Sequence, residues 1–119
     1  MARPAKSLMT TYLKKDSKSA FDGLLSMIDG YVDTAIYKPT FGSSELMRAL
    51  EKLDKQDGVE SITLVGLVTN MCVISNAIIA KAACPEAEII VKKDLVDSFN
   101  KELHQKALDV MESMQITIE

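Results

Sequence analysis

The 119-residue chain is expected to fold as one layered α/β domain around a mainly parallel sheet. Three observations predict this. From residue 32 onward, strand-like and helix-like apolar patterns alternate as β-α-β-α-β-α-β, an order that calls for right-handed crossovers between parallel strands. The run "SITLVGLV" at 61–68 is almost continuously apolar, as in a strand covered on both faces. The helix expected after it, "MCVISNAIIAKAA" at 71–83, is apolar nearly all round and therefore belongs inside the molecule.

Residues 1–15 show weak periodicity and are expected to form a basic, flexible N-terminal segment, with four basic residues and no acid before Asp16. This composition resembles an organelle transit peptide and equally a solvated helix face, and it lacks the apolar stretch of a secretory signal. A single domain then spans 16–119. "DSKSAFDGLLSMIDGY" predicts a helix capped by Asp16 or Ser17, with Phe21, Leu24, Leu25 and Ile28 as its apolar stripe and Gly30 as its stop. "YVDTAIYK" at 31–38 alternates and is rich in β-branched and aromatic residues, which predicts a short strand ending near Lys38. "PTFGS" is a loop. Ser43 caps the next helix, Glu45 suits its first turn, Leu46, Leu50 and Leu53 form its inner face, and it ends near "KQDG". Pro85 ends the 71–83 helix, "AEIIVKK" is a strand, and "NKELHQKALDVMESM" is an amphipathic helix with Leu103, Ala107, Leu108, Met111 and Met114 inward. "QITIE" closes the chain as a strand.

The net charge of −3 argues against a nucleic-acid surface. No apolar stretch approaches the roughly 20 residues that span a bilayer, so no membrane partner is expected. Two cysteines make no disulfide scaffold. On one helix at 1.5 Å per residue, Cys72 and Cys84 are roughly 18 Å apart and cannot bridge. A reducing cytoplasm is the simplest setting.

The stretch "GLVTNMC" carries the chemistry. Ligands in open α/β sheets bind beyond the carboxyl ends of the strands. Val68 ends the central strand, Thr69 to Met71 turn, and Cys72 opens the helix. Free N–H groups and the positive end of the helix dipole converge there. Such a position favours thiolate over thiol and can hold the oxyanion of a tetrahedral intermediate. Cysteine is also among the most often buried residues, so a core role for Cys72 stands beside the nucleophilic one. Cys84, at the far end of the helix, has only the core reading.

Three segments, in this order and spacing, resemble one family. "YKPTFGSSEL" is similar to the lysine loop, "LVGLVTNMCVISNAIIAKA" to the nucleophile segment, and "EIIVKKDLVDSFNKELHQKALDVM" to the C-terminal strand, acidic turn and helix of the isochorismatase-like cysteine hydrolases, which include nicotinamidases. The resemblance covers roughly residues 32–119. It implies a Rossmann-like three-layer sandwich and a small-molecule amide substrate, and no cofactor is expected; the sheet edge that missing strands would leave calls for a homo-oligomer. The resemblance further implies Cys72 as nucleophile and Lys38 as the lysine of a Cys-Asp-Lys triad. A cis peptide at Val68–Thr69 would aim the N–H groups of Met71 and Cys72 at the substrate carbonyl. Phe41 and Asn70 are the candidate pocket residues.

The sequence departs from the family in its N-terminal part. It has no segment of the type D-x-Q-x-D-F, whose aspartate shuttles the proton, and the family's N-terminal strands are expected to be missing. The Asp and His metal ligands of the nicotinamidases are not matched either, and His104, the lone histidine, makes no metal site and reads as a partly exposed helix residue. Asp94 and Asp97 follow the "EIIVKK" strand; either could supply an acid, although a turn or helix-cap role suits them better. The alternative to a hydrolase is an inactive member that binds a small molecule or assembles through its incomplete sheet.

Overall fold

The computed structural model describes the backbone of residues 6–10 and all of residues 34–119. The helix expected at 16–30 lies outside the described residues. Among the described residues four strands form a parallel sheet in the order β1-β2-β3-β4: β1 (Lys6–Thr10), β2 (Ser61–Leu67), β3 (Glu88–Asp97) and β4 (Thr117–Ile118). Three helices among the described residues connect and cover it: α1 (Ser44–Asp57), α2 (Ile74–Ala83) and α3 (Lys101–Ser113). A single π-helical turn, Thr69–Val73, leads into α2. The layered α/β reading with a parallel sheet therefore holds.

Local chemistry explains the element boundaries. α1 starts where the Ser43 hydroxyl accepts from Leu46 N at 3.0 Å and ends where Gly58, at φ 73°, donates to Asp54 O at 2.8 Å. That backbone conformation suits glycine, which has no Cβ to clash. α3 starts where Asn100 Oδ1 accepts from Leu103 N at 2.9 Å. α2 gives way at Cys84 to Pro85, which cannot continue a helix.

The core joins one face of β2 and β3 to the inner sides of the helices. Ile62 and Leu64 of β2, Ile89 and Val91 of β3, Val73 and Ala77 beside α2, and Met111 of α3 are all essentially solvent-free. The other face of β2, with Thr63 and Val65, is only half-buried, so the strand is not sealed on both sides as its apolar run suggests.

Three expectations need correction. Residues 6–10, weakly periodic in sequence, form β1 beside β2 in parallel register from Lys6↔Ile62 to Thr10↔Gly66. Of the strand expected at 31–38, residues 31–33 lie outside the described residues and 34–38 pair with none of the described strands; Ile36 packs against the core and Tyr37 points outward. That alternation satisfies one-sided burial without a ladder, which is why it resembles a strand. Finally, β3 runs on to Asp97 instead of turning after Lys93. Its register jumps from Leu64↔Val91 to Gly66↔Val96, so residues 92–95 bulge away from β2. Lys93 N there donates to Glu119 O at 2.9 Å, and Lys92 Nζ meets Glu119 Oε1 at 2.8 Å. Asp94 is exposed in that bulge, Asp97 pairs with Leu67 in the ladder, and Asn100 supplies the helix cap.

Candidate active site

β2 ends at Leu67, and the chain must reverse its direction to start α2. Gly66, at φ 115°, occupies backbone space that a side chain would resist. The bond that follows, Leu67–Val68, is cis. The cis bond was expected at Val68–Thr69 and lies one residue earlier. The Val68 carbonyl then accepts from both Met71 N at 2.9 Å and Val73 N at 3.2 Å, which gives the turn its wide π form. Cys72 sits inside this turn at the carboxyl edge of the sheet, where the sequence placed it.

The turn is anchored from a second side. Thr69 is fully buried, and its hydroxyl lies 2.7 Å from Nδ1 of His104 on α3. A buried hydroxyl without a partner costs about 1–3 kcal/mol, so this contact stabilises the turn as well as the docking of α3. His104 is half-buried, as its place on the amphipathic helix suggested, and it has a role that its sequence context did not reveal.

Lys38 reaches this turn from the loop before α1. Its Nζ donates to Cys72 Sγ at 3.1 Å and to Thr40 O at 3.1 Å. Cys72 is 1 % exposed, so its sulfur meets an ammonium group in a setting shielded from bulk water. The core position weighed for Cys72 from sequence thus agrees with its burial, while the Lys38 contact gives its sulfur a charged neighbour.

The remaining candidates lie around this pair. Phe41 is exposed in the lysine loop. Asn70 is half-buried in the turn, where its Oδ1 accepts from Ser98 Oγ at 2.5 Å. Met71 is partly exposed, but its N–H is engaged by Val68 O, so of the two expected oxyanion donors that of Met71 is already used within the turn. Asn76 was not singled out from sequence. It is 1 % exposed in α2, accepts from Ser43 N at 3.1 Å and donates to Phe41 O at 3.2 Å. A polar residue in so apolar a helix was the available signal, because a buried amide needs hydrogen-bond partners.

Cys84 is also free and fully buried, at the opposite end of α2. Burial first, then the carboxylates of Asp54 and Glu51, push its thiol up to about 11. Its sulfur faces Leu50 O at 3.7 Å, as a core thiol would. Among the described residues no three His, Cys, Asp or Glu side chains gather in a way that could hold a metal ion.

Comparison with known proteins bears on family and fold. The family model for the isochorismatase domain matches residues 20–119. No curated protein sequence matches the chain significantly. Among solved structures, the pyrazinamidase of Pyrococcus horikoshii in complex with zinc is 28% identical over 59% of this chain and 38% of its own, with a TM-score of 0.53. The nicotinamidase of Bacillus subtilis superposes with a TM-score of 0.66 at 18% identity, covering 94% of this chain and 72% of its own. An octameric Escherichia coli hydrolase of unknown specificity reaches 0.65 at 16% identity, covering 96% and 74%. The chain thus spans well under half of the Pyrococcus horikoshii protein and about three quarters of the other two. The described residues offer no donor cluster for the zinc of the Pyrococcus horikoshii protein. With the domain model matching most of its length, this chain belongs to the isochorismatase family.

Proposed function

We propose that the chain is a cysteine hydrolase of small amides, with Cys72 as nucleophile and Lys38 as its charge and proton partner. The observation that carries this reading is the 3.1 Å contact between Lys38 Nζ and Cys72 Sγ at the carboxyl edge of the sheet. The Cys72 thiolate attacks the amide carbonyl carbon, and the carbonyl oxygen takes the negative charge. The turn that opens α2 carries the candidate backbone donor to that charge, the N–H of Cys72. As the tetrahedral intermediate collapses, the C–N bond breaks and the amine leaves with a proton from the Lys38 ammonium. Water then attacks the thioester, loses its proton to Lys38 and returns the thiolate. Phe41 supplies an apolar wall and Asn70 a polar contact for an aromatic primary amide such as nicotinamide, with ammonia as the amine.

The test is ammonia release from a panel of small aromatic amides. Release that disappears in Cys72→Ala supports the proposal; release that persists in Cys72→Ala removes it. A second reading, an inactive member that binds a small molecule or assembles with copies of itself, is favoured by the 1 % exposure of Cys72. It is distinguished by amide binding without ammonia release. A homo-oligomer belongs to the proposal too, and light scattering reads it directly. So does a reducing, cytoplasmic setting, in line with two free thiols. Among the described residues no helix is long and apolar enough to cross a membrane.

A further inference from the structure

We infer that Asn76 is a positioning residue, whose side-chain amide fixes the loop that holds Lys38 against Cys72. The inference rests on the Cys72–Lys38 reading and names the group that sets the distance within that pair. Asn76 follows Cys72 by four residues, about one helical turn, and both are 1 % exposed. From there both ends of its amide reach across to one short loop. Oδ1 accepts from Ser43 N at 3.1 Å and Nδ2 donates to Phe41 O at 3.2 Å. Lys38 stands just before that loop and is tied into it through Thr40 O at 3.1 Å. The helix that follows the nucleophile is therefore joined to the lysine loop by one side chain that satisfies two backbone groups.

The packing around this link is close. A Cβ added at Gly42, between the two anchored residues, would lie 2.9 Å from Ile79 Cδ1 and 3.6 Å from Ser75 Cβ. The loop thus rests directly on α2, one residue from each of its tethers. Ser43 is also the cap of α1, so the same contact sets where α1 begins relative to α2. An apolar residue at position 76 would leave the Ser43 N–H and the Phe41 carbonyl to find other partners, and the loop would move.

The experiment measures the alkylation rate of Cys72 at pH 7 by peptide mass spectrometry, with Lys38 or Met at position 38 and Asn or Ala at position 76. With Asn76 present, Lys38→Met slows labelling by about three- to tenfold, because the ammonium no longer supports the thiolate. With Asn76→Ala, the same lysine change alters the rate by less than about 1.5-fold. This ratio cancels any change in exposure of the sulfur that Asn76→Ala brings by itself, since that change acts on both members of its pair. An undiminished lysine effect in Asn76→Ala overturns the inference and leaves the Cys72–Lys38 pair intact. No lysine effect in the presence of Asn76 overturns both. If Asn76→Ala does not fold, Asn76→Asp replaces it; it keeps the acceptor for Ser43 N and loses the donor to Phe41 O, and the same outcomes decide.

Discussion

Lys38 and Cys72 are 34 residues apart in the chain, yet Nζ of one donates to Sγ of the other at 3.1 Å. The loop before α1 and the turn before α2 meet at the carboxyl edge of the sheet, the edge at which open α/β sheets bind their ligands. Replacing Lys38 by Met removes the ammonium and its proton. Turnover of a small amide is expected to fall by about 10²–10⁴-fold, the usual worth of general acid–base help. Lys38→Arg restores the charge but not the compact, titratable donor, so most of the loss should remain. Steady-state ammonia release with both variants checks this.

The two cysteines should behave as opposites. The ordinary thiol value for Cys84 is 9.0, and in the folded chain it is pushed to about 11, chiefly by burial. At neutral pH iodoacetamide should therefore modify Cys72 well before Cys84. The same shift makes stability depend on pH. The unfolded thiol loses its proton near 9, while the folded one keeps it until about 11. Its stabilising contribution is whole below 9 and is lost as pH rises through 11, amounting to about 2–3 kcal/mol at most. Urea unfolding at pH 8 and 10.5 should show a larger alkaline loss in the wild type than in Cys84→Ala.

The contact between Thr69 and His104 ties the nucleophile turn to α3. Thr69→Val keeps the shape and removes the hydroxyl, at an expected cost of about 0.5–1.5 kcal/mol. His104→Ala should cost a similar amount. A double-mutant cycle by urea denaturation should give a coupling energy of about 0.5 kcal/mol or more, whereas strict additivity would remove the contact from the account.

The two helix caps should differ in worth. Asn100 is exposed, while Ser43 is 3 % exposed and its backbone N–H is held by Asn76. Asn100→Ala is expected to cost about 1 kcal/mol and Ser43→Ala about 2 kcal/mol, near the top of the range for lost caps. Urea midpoints at constant slope measure both.

Local signals carried much of this fold into the sequence. Ser43 stands just before a helical apolar pattern, and a side-chain oxygen there has a defined use, so that cap was legible. The cap of α3 was not: Asp94 or Asp97 was expected in that role, and Asn100, read as the first helical residue, supplies it. The place of Cys72 at the carboxyl edge of the sheet was legible because an apolar strand pattern ends, and an apolar helix pattern begins, around it. What depended on distant contacts was not legible. Residues 6–10 become a strand only because β2 offers an open edge. Residues 34–38 alternate like a strand but extend toward Cys72 without a ladder. The β3 bulge is held by Glu119, far along the chain. Asn76 and Thr69 gain their meaning from partners 33 and 35 residues away.

The most direct measurement is acid-quenched mass spectrometry of the protein mixed with a small aromatic amide. A thioester on Cys72, with the mass of the acyl group, is the expected result, and it should vanish in Cys72→Ala. Ammonia released with no adduct on Cys72, and undiminished in Cys72→Ala, would contradict the account.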